Sequence, residues 1–168
     1  MHTFFFALRA LICTLLLLTP PSRPSGAEEL SNVFVDSEGR VHLTGRAGGD
    51  RLAPKLKDQI SVRDAKLAPD MRTAGWLVEY ENCCTSYPIP LTLVLYRNGR
   101  IRREIRPGQM IYDWRFREGG RETALCEGTV HGKVEPHCLL YDCGSGKLLE
   151  EWRGGGEAPG WATGLRRE

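Results

Sequence analysis

VRDAKLAPDMRTAGWL (residues 62–77) and IYDWRFREGGRETALC (residues 111–126) decide the fold. Set one above the other, Asp64 falls on Asp113, Leu67 on Phe116, Arg72 on Arg121 and Trp76 on Leu125. Each stretch reads as strand, tight turn, strand. Further along, LVLYRNGRIRRE (93–104) lies over LLYDCGSGKLLEE (139–151). Tyr96 then matches Tyr141. With two extra residues in the second turn, Gly99 matches Gly146, Arg100 matches Lys147 and Ile101 matches Leu148. Self-similarity at a fixed spacing marks a supersecondary unit used more than once. Residues 60–105 and 109–152 therefore read as two copies of a four-stranded antiparallel unit.

The surrounding residues agree. No long window repeats apolar residues at three and four, so helix signals are weak. Trp76, Val78 and Tyr80 alternate with Leu77, Glu79 and Glu81. Leu91 to Tyr96 is a β-rich run ended by Asn98-Gly99, a strong two-residue hairpin signal. Val33-Phe34-Val35, Ser37-Glu38-Gly39 and Val41-His42-Leu43 form another hairpin pattern, read as the last hairpin of a third copy. Thr44 to Leu56 reads as a connecting loop. Arg153 to Glu168, with five glycines, reads as a flexible tail.

These units resemble blades of β-propellers, specifically the WD40-like repeats of TolB-type periplasmic proteins. Such a blade opens with an Asp, a Pro-Asp turn and an apolar strand, here Asp64, Pro69-Asp70 and Ala74-Gly75-Trp76-Leu77-Val78. It closes with a short apolar strand, an Asp, a Gly-Lys turn and a last strand, here Leu139-Leu140-Tyr141-Asp142, Gly146-Lys147 and Leu148-Leu149. The chain also resembles small exported bacterial proteins of unknown function that carry the segment NCCTSYPIP. The blade resemblance covers about 90 residues. In the second copy Gly119-Gly120 replaces the Pro-Asp turn. About two and a half units are present, whereas propellers close with about 4–8 blades. The expected fold is all-β, with two to three propeller-blade-like units in an open or sandwich-like stack rather than a closed single-chain propeller. The resemblance implies protein–protein contacts made through loops.

The chain has 168 residues, 23 basic and 21 acidic. Residues 1–27 hold Arg9 and Arg23 and no acid, so the remainder balances at 21 of each sign. A neutral chain has no electrostatic footprint for nucleic acid. Ala10 to Leu18 is an apolar run, followed by Pro20, Pro21 and Pro24 and then the small residues Ser25-Gly26-Ala27. This pattern reads as a cleaved signal peptide (1–27) ahead of a β-rich domain (28–152) and the tail (153–168). Phe4 to Leu18, interrupted by Arg9, is shorter than the roughly 20 apolar residues of a bilayer span. A soluble protein, secreted or periplasmic, without a membrane span after cleavage, is the expectation.

Five cysteines lie beyond residue 27: Cys83, Cys84, Cys126, Cys138 and Cys143. An oxidising compartment makes disulfides their default state. Cys126 and Cys138 bracket an 11-residue stretch on strands expected to be neighbours, which favours a cross-strand bridge. Adjacent Cys83 and Cys84 either close a strained vicinal ring or each pair elsewhere. Cys143 is either a partner for one of them or the unpaired thiol.

Two inserts hold the residues selected as a binding surface. Asn82 to Pro90 interrupts the first unit between its second and third strands, Glu127 to Pro136 holds the equivalent place in the second, and Thr129 to His137 is the stretch selected there. Asn82, Cys83, Cys84, Tyr87, His131 and His137 are the candidate binding-loop residues. Cys126, His131, Glu135, His137 and Cys138 are also the residue types of a zinc or copper site, but their spacing fits no common metal pattern. No metal or other cofactor is therefore assigned. Ser145 sits in a Gly-Ser-Gly turn rather than a nucleophile elbow, and Glu150-Glu151 face opposite sides of a strand. No catalytic residue emerges. The expected role is an exported, non-catalytic binding or scaffold module presenting two loops to a protein or glycan. The alternatives are a metal-dependent enzyme using His131 and His137, and a self-associating propeller-like subunit.

Overall fold

A computed structural model describes residues 28–83, 85–131 and 135–165. The expected leader, Cys84 and the last three residues lie outside them. Eleven strands are described: β1 (Leu30–Val35), β2 (Val41–Gly45), β3 (Asp50–Leu52), β4 (Ser61–Leu67), β5 (Thr73–Tyr80), β6 (Ile89–Arg97), β7 (Arg100–Ile105), β8 (Met110–Arg117), β9 (Glu122–Gly128), β10 (His137–Asp142) and β11 (Leu148–Arg153). They form three antiparallel sheets, ordered β1-β2-β3, β4-β5-β6-β7 and β8-β9-β10-β11. No sheet closes into a barrel, and no α-helix occurs among the described residues.

The two four-stranded sheets share one ladder register. Val62 pairs with Val78, and Ile111 with Glu127. Lys66 pairs with Gly75, and Arg115 with Ala124; Leu67 pairs with Ala74, and Phe116 with Thr123. A bulge interrupts each ladder near the aligned Asp64 and Asp113. On the other half, Tyr96 pairs with Ile101 and Tyr141 with Leu148, each just after a bulge. Matching bulges matter because a one-residue slip would turn every following side chain to the wrong face.

Three apolar layers hold the stack. Leu30, Val33, Val41 and Leu43 of the first sheet meet Val62, Trp76, Val78, Val94 and Tyr96 of the second. The opposite face of the second sheet, with Leu77, Leu93, Leu95 and Ile105, meets Ile111, Trp114, Leu125 and Leu139 of the third. The outer face of the third sheet, including Cys126, Cys138 and Leu140, is covered by Trp161 and Ala162. The middle sheet is thus buried on both faces, and β5 is buried from Thr73 to Val78. Trp114 Nε1 donates to the Asp64 carbonyl at 3.2 Å, and Lys66 reaches the Trp114 carbonyl while lying 4.8 Å from the Trp114 ring centroid. The carboxylates of the aligned Asp64 and Asp113 lie 2.9 and 3.8 Å from Lys66 Nζ.

Three expectations are corrected. First, the hairpin at Val33–Leu43 is not the last pair of its unit. Gly39, in its turn, packs beside Ser61 at the start of β4, and the Leu30 N–H donates to the Met71 carbonyl beyond the end of β4. So β1 runs antiparallel to β4, as β5 does, and β2 and β3 follow in the places of β6 and β7. Among the described residues this sheet has no counterpart of β4. Second, the supposed loop from Thr44 contains the end of β2 and all of β3, whose pairs are His42 with Leu52, Leu43 with Arg51 and Thr44 with Asp50. Third, the segment read as a flexible tail buries Trp161 and Ala162, and Trp161 Nε1 donates to Glu150 Oε2 at 2.6 Å. Arg115 reinforces it by donating to the Trp161 carbonyl at 3.0 Å.

The first sheet is riveted by His42. Its Nδ1 lies 2.5 Å from Asp50 Oδ2 and its Nε2 2.9 Å from Asp36 Oδ2, and the ring stacks on Phe34 at 4.8 Å. Two carboxylate partners require both ring nitrogens to donate, which is the imidazolium form. The Asp50 and Asp36 hydrogen bonds accordingly raise the His42 pKa above its ordinary 6.5. A raised histidine stabilises the fold fully below its unfolded pKa, and that stabilisation is lost as pH rises through the higher folded pKa. Thermal melts of the wild type should therefore fall in midpoint as pH rises from about 6.5 through that value. The H42Q variant should lose this slope while keeping the rest of its pH profile.

Gly75 lets the second and third sheets approach. A Cβ there would stand 2.8 Å from Trp114 Cη2 and 3.0 Å from the Val94 carbonyl oxygen. Gly75→Ala should destabilise by about 1–3 kcal/mol, measured by urea unfolding.

Candidate functional site

Both inserts leave the same end of the stack. Gly120, in the turn between β8 and β9, packs on Ala68 and Asp70 in the turn between β4 and β5. Arg103 of β7 lies against Gly146 and donates to the Gly144 carbonyl, in the turn between β10 and β11. Equivalent turns are therefore neighbours at one end, and the β5–β6 and β9–β10 connections emerge at the other. The strand bounds shorten both inserts. Ile89 pairs with Tyr80 and Pro90 with Glu79, so the first insert is residues 81–88. Pro90 enters the ladder at a bulge, consistent with its missing N–H. His137 opens β10, so the second insert is residues 129–136.

The first insert is ordered by its own side chains. Asn82 Nδ2 donates to Thr85 Oγ1 at 3.1 Å, and Thr85 Oγ1 donates to the Tyr87 carbonyl at 2.6 Å. Tyr87 is 53% exposed. With Ile60, Asn82, Thr85 and Pro88 it borders an open cleft of about 400 Å³. An aromatic face flanked by an amide and hydroxyl groups is suited to a sugar ring or a peptide side chain. Cys83 is exposed at the foot of this insert; the vicinal pairing with Cys84 lies outside the described residues.

The neck of the second insert is pinned twice. Cys126 and Cys138 stand directly opposite on β9 and β10 and form the expected disulfide. On the next rung, His137 faces Glu127. His137 Nδ1 lies 2.9 Å from Glu127 Oε1, and its Nε2 lies 2.8 Å from Glu151 Oε1. Glu127 is only 3% exposed, and its other oxygen accepts the Gln109 N–H at 2.8 Å. His137 holds the Glu151 carboxyl below its ordinary range, with help from Arg153. His137 is thus a half-buried strand residue that fastens three strands, not a loop ligand. His131 remains exposed in the insert itself.

This geometry withdraws ligands from the metal alternative. The bridge takes both thiolates, and two carboxylates take both nitrogens of His137. Among the described residues no group of three or more His, Cys, Asp or Glu side chains is arranged to hold a metal. Ser145 is occupied as a turn cap, its N–H and O–H donating to Asp142 Oδ1 at 2.7 and 2.6 Å. Cys143 is buried in that same turn, at the end opposite the first insert, and forms no bridge. Burial pushes its thiol up to about 12, so it stays protonated at neutral pH. Trp76 and Trp114 are fully buried core residues.

No protein-family model matches this chain, and no curated protein matches its sequence. Among the described residues no helix is long and apolar enough to cross a membrane.

Glu127 was not singled out by sequence reasoning. One carboxylate among 21 carries no mark of burial, although the register of Cys126 against Cys138 places it opposite His137. Replacing Cys126 and Cys138 together by Ser should cost about 3 kcal/mol in denaturant unfolding, with the β-sheet circular dichroism of the folded state retained.

Proposed function

We propose that this chain is an exported, non-catalytic binding or scaffold module, built of WD40-like blade repeats, that presents its two inserts to a protein or glycan partner. The observation that carries this reading is the shared orientation of the second and third sheets, which puts both inserts at one end. Loops held at their bases on neighbouring sheets lose less conformational entropy on binding than unanchored ones. The Tyr87 cleft supplies an anchor, and the disulfide with the Glu127–His137–Glu151 cluster stiffens the second loop at its base. A disulfide within a chain that opens with a leader-like segment also fits an oxidising, extracytoplasmic compartment.

The test replaces residues 81–88 and 129–136 by Asn-Gly turns, which suit two-residue hairpins. Wild-type protein should retain a partner from a glycan array or from crosslinked envelope extract. The double replacement should lose it while its thermal transition survives. Retention of the same partner by the replaced protein would overturn the proposal. N-terminal sequencing of the exported protein tests the cut after Ala27.

A second reading, self-association, is favoured by β1. The other outer strands of the three sheets (β3, β4, β7, β8 and β11) all carry charged residues, whereas β1 reads LSNVFV and carries none. Among the described residues its sheet also has no counterpart of β4. An uncharged outer strand lacks the usual protection against pairing with another chain. Light scattering at micromolar concentration distinguishes the two readings: a monomer removes the second and leaves the first.

A further inference from the structure

At the end of the stack opposite the inserts, three turns enclose a separate cleft. They are the β6–β7 turn at Asn98-Gly99, the β8–β9 turn at Gly119-Gly120 and the β10–β11 turn at Cys143 to Gly146. The cleft has a volume of about 390 Å³, and Arg97, Asn98, Arg102, Arg121, Asp142 and Cys143 are among its walls. We propose that it is an anion site, taking a small ligand that carries a phosphate or a pair of carboxylates.

Of the three arginines, only Arg102 has no charged partner among the described residues. The side chains of Arg102 and Asn98 make no hydrogen bond or ion pair with any described residue. Arg121 is engaged by its neighbour Glu118 alone, its Nε donating to the Glu118 carbonyl at 3.3 Å and its Nη2 to the exposed carboxylate at 3.4 Å. Arg97 stands 3.6 Å from Asp70 Oδ2, beyond ordinary hydrogen-bond length. The two nearby aspartates keep their negative charge, but local donors occupy acceptor positions on each. Asp142 Oδ1 takes the N–H and O–H of Ser145. Asp70 takes the N–H groups of Arg72 and Thr73 at 2.9 and 2.8 Å, and the Thr73 hydroxyl at 2.8 Å. The buried Cys143 thiol is neutral at physiological pH and adds no negative charge.

The cleft thus gathers three guanidinium groups, Arg97 and Arg102 from the β6–β7 hairpin and Arg121 from the β8–β9 turn, with an unengaged amide and the Asp142 carboxylate beside them. Guanidinium forks match the oxygen spacing of phosphate and carboxylate and bind them with charge-assisted hydrogen bonds. A dianion engages more than one fork at once, where chloride engages one. The equivalent of Arg121 in the first unit, Arg72, shows the contrast: it faces Glu29 at 3.4 Å across the first interface. In the second interface Asp142 of the neighbouring sheet shares the cleft with Arg102 but forms no ion pair with it. The site lies away from both inserts, so its failure leaves the loop reading untouched.

The test is a nuclear magnetic resonance titration of the purified ¹⁵N-labelled chain with inorganic phosphate, against sodium chloride at matched ionic strength. Saturable shifts are expected at the amides of Asn98 and Gly144, with a dissociation constant of about 1 mM or tighter. Arg102 and Arg121 are exposed, so R102A and R121A should keep the wild-type melting temperature while weakening phosphate about tenfold each. Malonate, as a second probe, distinguishes a dicarboxylate ligand from a phosphorylated one; saturation by either supports the site. Shifts that chloride reproduces, or that persist unchanged in the double variant, would overturn it.

Discussion

The stack depends on how closely its second and third sheets can approach. Trp114 lies over the backbone of β5 because Gly75 has no side chain to hold it off. From that position its indole N–H reaches the Asp64 carbonyl and its own carbonyl receives Lys66. Lys66 in turn sits beside the two aligned aspartates. One aromatic ring thereby fixes spacing, registration and a charged seam together. The equivalent position of the first unit, Ala65, carries no ring, and there the interface with the first sheet is built instead from Trp76, Tyr96 and aliphatic side chains. Repetition of the backbone has not required repetition of the packing.

That seam has consequences at both ends of the molecule. Equal orientation of the two four-stranded sheets brings their short turns together, with Gly120 resting on Ala68 and Asp70, and sends their longer connections to the other end. The short-turn end concentrates arginines, since β7 is an outer strand and charged side chains there discourage pairing with another sheet. The insert end is stiffened differently, by the disulfide and the His137 cluster in one sheet and by the Asn82–Thr85–Tyr87 chain of hydrogen bonds in the other. The two ends have distinct chemistry although they arise from one repeated unit.

Much of the architecture was legible because strand pairing is a local consequence of sequence. Asn98-Gly99 and Gly146-Lys147 mark hairpins whose register follows from the turn. The spacing of Cys126 and Cys138 makes them cross-strand neighbours as soon as their strands are recognised. The tail misled because composition describes average behaviour. Five glycines outweighed one Trp161, yet that ring finds an apolar face with Leu140 and the Cys126–Cys138 bridge, and its N–H finds Glu150. His137 misled because a histidine near prolines and glycines looks like a loop residue until the strand bound is known.

By itself, the sequence determined the repeat, the strand class, most of the turn positions and Cys126–Cys138 as the candidate bridge, since each follows from residues near one another in the chain or at a constant repeat spacing. Only the tertiary structure decided the direction of β1 relative to β4, the burial of Glu127 beneath His137, the docking of Trp161 and the meeting of Arg97, Arg102 and Arg121. Those depend on which face of one sheet meets which face of another. Side chains distant in sequence meet only through that choice, and no local pattern encodes it.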